Sequence, residues 1–213
     1  QAANTVVVPW NDPAALERAI GEHSFAAILA EPIPANMGVV PPGDGFLAFL
    51  REVADSNGAL LVLDEVISGF RVAGGGAQEL LGVNADLTIM GKVLGGGLPA
   101  AAYGGPRELM ERMAPAGDVY QAGAAGLATL DQLDPAAYGR LAEITEELAS
   151  GLRQAAAGRA VQVASAPGLL TVFFSAEPVT DFAGAAACDA DAYARFCRAL
   201  LDRGVYPPPS QFE

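Results

Sequence analysis

The sequence predicts an α/β protein with a mainly parallel central sheet and a small α+β C-terminal domain. Continuous apolar runs alternate with segments of helical periodicity, a pattern typical of parallel strands that are buried on both faces. The 213 residues are 52% hydrophobic and 17% charged, which allows a sizeable core and argues against disorder. After Asp134 the pattern changes to helix, strand and helix. We therefore expect part of a large domain over residues 1–133 and a small domain over residues 134–213.

Four apolar runs predict the strands of the large domain. They lie at residues 25–30, 59–63, 86–90 and 100–103. Glu31, Asp64 and Lys92 follow the first three of these runs. Because functional groups of parallel sheets tend to lie just beyond the carboxyl ends of the strands, we expect these three side chains at one edge of the sheet.

Helices connect and follow these strands. Apolar residues at helical spacing predict a helix over residues 45–57, which Asp44 could cap and which Gly58 ends. The small domain adds a helix, a strand and a second helix, over residues 135–157, 169–174 and 189–203.

The charge balance excludes several classes of partner. With 25 acidic and 12 basic residues the formal net charge is -13, so we expect no binding to nucleic acid or to anionic membranes. His23 has no cluster of ligands around it, and Cys188 and Cys197 lack metal-ligand spacing, so no metal site is expected. Two cysteines fit a reduced, cytoplasmic protein. We expect neither a signal peptide nor a membrane span.

Lysine occurs once in the sequence, as Lys92, against eleven arginines. An arginine keeps its proton near neutral pH and cannot form an imine, whereas a lysine can lose its proton and can form one. A single lysine therefore indicates a chemical role, although a leftover surface lysine would give the same composition.

Lys92 and Asp64 have surroundings and a spacing that suit one ligand. Lys92 lies between Gly91 and the apolar and glycine residues 93–97, so we expect its ammonium to be poorly solvated and nucleophilic. Asp64 ends an apolar strand, where a carboxylate needs a partner such as a protonated heterocyclic nitrogen. The two residues are 28 positions apart, which suits one strand–helix–strand unit.

Two strings around these residues resemble the class III pyridoxal-phosphate aminotransferases of fold type I. They are LDEVISGFRV at 63–72 and DLTIMGKVLGGGLP at 86–99. The resemblance implies pyridoxal 5'-phosphate as the cofactor, which passes through its pyridoxamine form during the cycle. It further implies that Asp64 pairs with the pyridine nitrogen, that Val66 packs on the ring, and that Lys92 bonds to the cofactor and is the catalytic acid and base.

Other strings resemble the aminomutase branch of this family more than its transaminases. The most specific are PVTDFAGA at 178–185 and PPSQFE at 208–213. They imply an intramolecular amino transfer that converts glutamate-1-semialdehyde to 5-aminolevulinate for tetrapyrrole biosynthesis, in a homodimer whose subunits share the site. An ordinary class III aminotransferase of ω-amino acids and a non-catalytic module with the same fold are the alternatives.

The same resemblance implies further cofactor-binding residues. Asn36 would lie near the ring hydroxyl of the cofactor. Glu31 would orient nearby groups, although an ion pair with an arginine explains a carboxylate at a strand end equally well. Tyr120 and Gln121 would lie beside the segment that helps to bind the phosphate.

The chain departs from the family pattern in two places. Family members carry a large N-terminal part, which holds the phosphate-binding loop, before the point where this sequence begins. They also have further residues between the positions of Gly123 and Ala124, including a threonine that reaches the phosphate in the partner subunit. We therefore expect this chain to be part of a longer polypeptide and to be inactive alone.

Overall fold

The computed structural model describes residues 4–113, 117 and 133–212. Its larger sheet contains four strands that pair in chain order: β1 (Ala27–Ala30), β2 (Leu60–Glu65), β3 (Leu87–Met90) and β4 (Ala102–Gly104). The first three strands are parallel, and β4 pairs antiparallel with β3. The mainly parallel sheet predicted from the sequence is confirmed, with one antiparallel strand at its edge.

Helices precede and follow these strands in the first half of the chain, and two of them pack on the sheet. They are α1 (Pro13–Glu22), α2 (Phe46–Asn57), α3 (Gly76–Leu81) and the short α4 (Arg107–Met110). Leu16 of α1 and Leu50 of α2 are buried in one cluster with Leu61 and Leu63 of β2. Burial of this apolar area fixes α1 and α2 on one face of the sheet.

The predicted cap of α2 is wrong at its N-terminus and confirmed at its C-terminus. The N-cap residue is Gly45, with φ 74° and no side-chain hydrogen bond, rather than Asp44. The left-handed backbone at Gly45 puts a glycine at the cap position, because a side chain there would be strained. Gly58 ends the helix with φ 64°, and its N–H donates to the carbonyls of Ala54 and Asp55.

The C-terminal part pairs a hairpin with helices. Its elements are α5 (Pro135–Ala155), β5 (Gln162–Ala166), β6 (Leu169–Phe173), α6 (Phe182–Ala186) and α7 (Ala190–Leu201). Asp134 caps α5, because its Oδ1 accepts a 2.7 Å hydrogen bond from the N–H of Ala137. The strand β5 was not predicted. Its small, partly buried residues give no apolar run, and its conformation comes from antiparallel pairing with β6.

Apolar clusters join the segments before and after Asp134. One contains residues of the loop after β1 and of the hairpin: Ile33, Ala35, Val39, Ala164 and Leu169. The division of the chain into two domains near Asp134 stays a prediction. Among the described residues, no helix has the length and apolar character needed to cross a membrane.

Candidate active site

The strand β2 places two neighbouring carboxylates on opposite faces of the sheet. Leu61, Leu63 and Glu65 are buried, whereas Asp64 is partly exposed. Because successive side chains of a strand point to opposite faces, Asp64 faces away from the core under α2. Its Oδ1 accepts a 2.9 Å hydrogen bond from the N–H of Val66, which orients the carboxylate at the end of the strand.

Glu31, Asp64 and Lys92 form one electrostatic cluster. Burial raises the pKa of the Glu31 carboxyl above its usual range, and the negative charge of Asp64 raises it further. Hydrogen bonds from the Ala35 backbone and from Asn36, and the positive charge of Lys92, act in the opposite direction. The structure thus brings the three strand-end side chains together.

Asn36 lies beside this cluster and binds Glu31 directly. Its side-chain amide donates a 2.6 Å hydrogen bond to Glu31 Oε1. Within the described residues, no arginine lies within ion-pair distance of Glu31, so the alternative of a simple Glu–Arg pair finds no support there. Asn36 itself is exposed, which leaves its amide accessible from the same side as Asp64 and Lys92.

Lys92 adopts a backbone conformation that lysine rarely takes. It begins a short 3-10 helix, Lys92–Gly95, and has φ 43°, in the left-handed region. Such a conformation costs an L-residue roughly 1–2 kcal/mol, and strain of this kind is concentrated at functional sites. The residue is exposed, so the expectation of a poorly solvated ammonium is wrong for this chain. The glycines around Lys92 carry no side chains that could cover it.

Val66 and Gly91 pack closely at the same edge of the sheet. A Cβ at Gly91 would lie 3.3 Å from Val66 Cγ1, which is tighter than an ordinary contact. Glycine at this position lets the segment that leads into Lys92 approach Val66. Val66 is only partly buried, so part of its apolar side chain is left to cover a ligand.

A cavity of about 740 Å³ opens beside Lys92. Its polar lining residues are Asn36, Arg71, Lys92, Thr171 and Ser210. Arg71 was not singled out from the sequence, although it lies within the first of the two family-like strings. In the described part of the chain its guanidinium makes no ion pair with a carboxylate. The cavity therefore offers a second cation close to Lys92.

The C-terminal string PPSQFE closes one side of this cavity. Pro208, Ser210 and Phe212 line it, and the buried Gln211 donates a 3.0 Å hydrogen bond to the carbonyl of Ala185. Gln211 thus anchors the string in the C-terminal core, while the residues on either side of it face the cavity.

The loop that carries Asn36 is tied to the C-terminal hairpin. The N–H of Val39 donates a 2.9 Å hydrogen bond to the hydroxyl of Thr171 in β6. Gly38, with φ 79°, lies against the ring of Phe173 so closely that a Cβ would overlap it. These contacts fix Asn36 relative to the far wall of the cavity.

A hydrogen-bond network occupies the face of β2 opposite to Asp64. Glu65 is only 1% exposed, and its carboxylate accepts four hydrogen bonds of 2.7–3.1 Å. The donors are the Ser68 hydroxyl, the backbone N–H of Ala77, and the backbone and side-chain N–H groups of Gln78. The sequence prediction missed Glu65, because a carboxylate directly after Asp64 was given no role of its own.

Gln78 extends this network to the next strand. Its Nε2 also donates a 2.9 Å hydrogen bond to the Thr88 hydroxyl of β3, and its Oε1 accepts one of 2.8 Å from the N–H of Ala85. Both N–H groups and the oxygen of the amide are therefore used. Gln78 thereby connects the end of β2, the helix α3 and the strand β3.

The remaining predicted positions lie outside the described residues. They are Tyr120, Gln121 and the junction of Gly123 and Ala124, so their roles stay predictions. Across the residues that the structure describes, no group of three or more His, Cys, Asp or Glu side chains is placed to hold a metal ion.

The sequence also matches a known protein family. Residues 11–210 match the aminotransferase class-III family. The chain is 50% identical to glutamate-1-semialdehyde 2,1-aminomutase from Desulforudis audaxviator (strain MP104C), over all of this chain and 52% of that protein. The alignment runs over 227 positions although this chain has 213 residues, so the relative carries at least 14 residues without a counterpart here.

Solved structures show the same similarity. A β-phenylalanine aminotransferase from Variovorax paradoxus superposes with a TM-score of 0.88 at 32% identity, over 97% of this chain and 51% of that one. A transaminase with PLP bound superposes with a TM-score of 0.82 at 31% identity, over 98% of this chain and 52% of that one. The chain therefore spans about half the length of the proteins that it matches.

Proposed function

Since this chain belongs to the class-III aminotransferase family, we propose that it is part of a pyridoxal-phosphate-dependent aminomutase that converts glutamate-1-semialdehyde to 5-aminolevulinate. The fold is fold type I of the pyridoxal-phosphate transferases. The observation that carries the proposal is the placement of Asp64, Val66 and Lys92 at neighbouring strand ends, with Lys92 facing a cavity. The 50% identity to an aminomutase supports this reaction over others of the family.

The residues at these strand ends fit pyridoxal phosphate. When bound, this cofactor supplies an aldehyde that bonds to amines and a pyridine ring that accepts electrons when protonated. Lys92 offers the amine, and Asp64 offers the carboxylate that holds a proton on the ring nitrogen. Val66 covers a ring face, and Asn36 binds the ring hydroxyl, held in place by its hydrogen bond to Glu31. We assign Tyr120 and Gln121 to the phosphate side.

Lys92 has two tasks in this proposal. It holds the cofactor until the substrate arrives, and it then takes protons from and returns them to the reacting carbon atoms. Its exposure toward the cavity and its flanking glycines suit both tasks, because the ammonium can move without displacing side chains. The strained φ of 43° directs the lysine from the end of β3 into this space.

Arg71 is the residue that we assign to the substrate carboxylate. Glutamate-1-semialdehyde carries one carboxylate, and a guanidinium binds a carboxylate through two parallel hydrogen bonds. Arg71 lines the same cavity as Lys92 and has no carboxylate partner within the described residues. It therefore orients the substrate with its reactive end toward the lysine.

An ordinary class III aminotransferase is the second candidate. The observation that favours it is the similarity to a β-phenylalanine aminotransferase at 32% identity with a TM-score of 0.88. The two candidates use the same strand-end residues and differ in the origin of the amino group. An aminotransferase needs a separate amino acceptor, whereas an aminomutase moves the group within one molecule.

The test measures product formation without an acceptor. The full-length protein, supplied with pyridoxamine phosphate and glutamate-1-semialdehyde, should form 5-aminolevulinate at the same rate with and without an added 2-oxo acid. Failure to form 5-aminolevulinate, together with conversion of the added 2-oxo acid to its amino acid, would assign the protein to the aminotransferases instead.

We also propose the assembly and the compartment. A homodimer agrees with the resemblance, in which both subunits contribute to one site. Cys188 and Cys197 are free and buried, which suits the reducing cytoplasm. The expected mass of two full-length chains in light scattering tests the dimer, and a monomer with full activity would contradict it.

A further inference from the structure

We propose that Glu65, Gln78 and Thr88 form a positioning network that sets the separation of Asp64 and Lys92. The inference rests on the proposed function, in which these two residues hold the cofactor from adjacent strands. The three network residues line a separate cavity of about 360 Å³ and not the one beside Lys92, and their side chains are hydrogen-bonded to one another, so we assign them a positioning role.

The network lies directly behind the site. Glu65 follows Asp64 in β2 and points to the other face of the sheet. It pairs in register with Met90, the last residue of β3, and only Gly91 separates Met90 from Lys92. The buried carboxylate therefore belongs to the final pair of the ladder, directly after Asp64 in β2 and across from Met90, two residues before Lys92.

Gln78 is the bridge between the two strands. Its two side-chain N–H groups donate to Glu65 Oε1 at 3.1 Å and to the Thr88 hydroxyl at 2.9 Å. In the described part of the chain the backbone ladder between β2 and β3 ends at Glu65 and Met90, and Lys92 then begins a 3-10 helix. A side-chain bridge close to this end limits how far the two strands can move apart.

The carboxylate of Glu65 makes this bridge rigid. A buried charge is costly unless it is fully hydrogen-bonded, and four donors satisfy this one at fixed positions. Within the described residues no cation pairs with it, so the geometry depends on the neutral donors of Ser68 and α3. Gly76 makes the close approach possible, since a Cβ there would collide with the carboxylate.

Two substitutions in the full-length protein test the network. Glu65→Gln keeps the shape but turns an N–H₂ group toward existing donors, and Thr88→Val removes only the hydroxyl that Gln78 binds. We expect the affinity for pyridoxal phosphate to fall by about tenfold in Glu65→Gln and about threefold in Thr88→Val, because small displacements of binding groups are costly. The pH midpoint of the absorbance of the bound cofactor should shift in both.

Glu79→Gln is the matched control. Glu79 is an exposed carboxylate of the same helix, and it binds the N–H of Gly75 without touching Glu65 or Thr88. Its substitution should leave cofactor affinity and pH midpoint as in the wild type. If Glu65→Gln does not fold, Thr88→Val decides the question.

The outcomes separate this inference from the proposed function. A wild-type protein that binds no pyridoxal phosphate would overturn the proposed function itself. A wild type that binds it, with folded Glu65→Gln or Thr88→Val variants of unchanged affinity and midpoint, would overturn only the network. A purely structural role would lower the urea midpoint of these variants and leave both cofactor readouts in place, which would also reject the inference.

Discussion

The two faces of the sheet differ at the end of β2. Glu65 lies on one face, here called the back, and Asp64 lies on the other, called the front. On the back, Glu65 is buried and accepts four hydrogen bonds. On the front, Asp64 is partly exposed and accepts one, from the N–H of Val66. Lys92 and Asn36 on the front are exposed as well. The protein itself supplies the hydrogen bonds of the carboxylate on the back, whereas the side chains on the front keep hydrogen-bonding capacity that a ligand can use.

This difference indicates that the back of the sheet supports the site and that the front carries its chemistry. A saturated, buried group resists displacement, because each lost hydrogen bond leaves a desolvated partner behind. A half-exposed group can exchange water for a ligand at low cost. Substitutions on the front should therefore change function more than stability, and substitutions on the back should lower stability together with cofactor affinity.

Asp64→Asn should have the largest effect among substitutions of the carboxylates at the strand ends. The neutral amide cannot hold the ring nitrogen protonated, so we expect kcat of the full-length enzyme to fall about 10²- to 10³-fold. The urea midpoint should stay close to that of the wild type, because Asp64 accepts a single hydrogen bond within the described residues. Asp202→Asn, at an exposed position after α7, is the control and should change neither. An unchanged kcat in Asp64→Asn would remove Asp64 from the site.

Gly76→Ala should disrupt the hydrogen-bond network around Glu65 on the back of the sheet. Gly76 has φ 70°, and a Cβ there would collide with the Glu65 carboxylate, so we expect a loss of about 2–4 kcal/mol in the free energy of unfolding. Gly82→Ala is the matched control at the other end of α3. It has φ 67° but open space around its Cβ position, so it should cost only about 1 kcal/mol. Equal losses in urea unfolding would show that the contact with Glu65 is unimportant.

Arg71→Gln tests whether Arg71 binds the substrate carboxylate. Loss of a charged hydrogen-bonding partner for the substrate carboxylate should raise KM for glutamate-1-semialdehyde by roughly tenfold and change kcat less. Arg107→Gln removes an exposed cation of α4 that pairs with Glu111 at the end of this helix, and it should leave KM as it is. A fall in kcat alone would instead place Arg71 close to the reacting atoms.

Glu31→Gln should have the smallest effect and a distinctive pH dependence. The pKa of Glu31 is raised in the folded state, so the folded protein loses stability as pH rises from the usual glutamate range through this raised value. The variant lacks this loss and should gain stability relative to the wild type over the same range, by no more than about 1 kcal/mol because solvent screens the site. Urea unfolding of the cofactor-free protein at several pH values checks this, and a difference that does not vary with pH would contradict it.

Much of the fold could be predicted because its strands are continuous apolar runs. The strands that lead to Asp64 and Lys92 lie close to the predicted residues, although β2 is deeply buried on one face only and β3 is partly buried throughout. The strand β5 escaped prediction because its QVASA sequence is small and mixed, and only pairing with β6 makes it a strand. Asp44 failed as a cap because the backbone of Gly45 is left-handed, which a residue pattern does not reveal.

The site could be predicted only where its residues carry an unusual signal. Lys92 stands out as the single lysine, and Asp64 stands out as a charge at the end of an apolar run. The exposure of Lys92 and the burial of Glu65 depend on packing that the local sequence does not contain. The glycine triplet at 74–76 was the available signal for Glu65, because Gly76 marks where a backbone must approach its carboxylate.

The central claim is that Lys92 binds the cofactor covalently, and borohydride reduction tests it most directly. The full-length protein is incubated with pyridoxal phosphate, reduced and digested, and the labelled peptide is located by mass spectrometry, with Lys92→Ala as the control. We predict that the label lies on Lys92 and is absent from the Lys92→Ala variant. A folded wild-type protein with no label on Lys92 would contradict the assignment of the front face as a cofactor site.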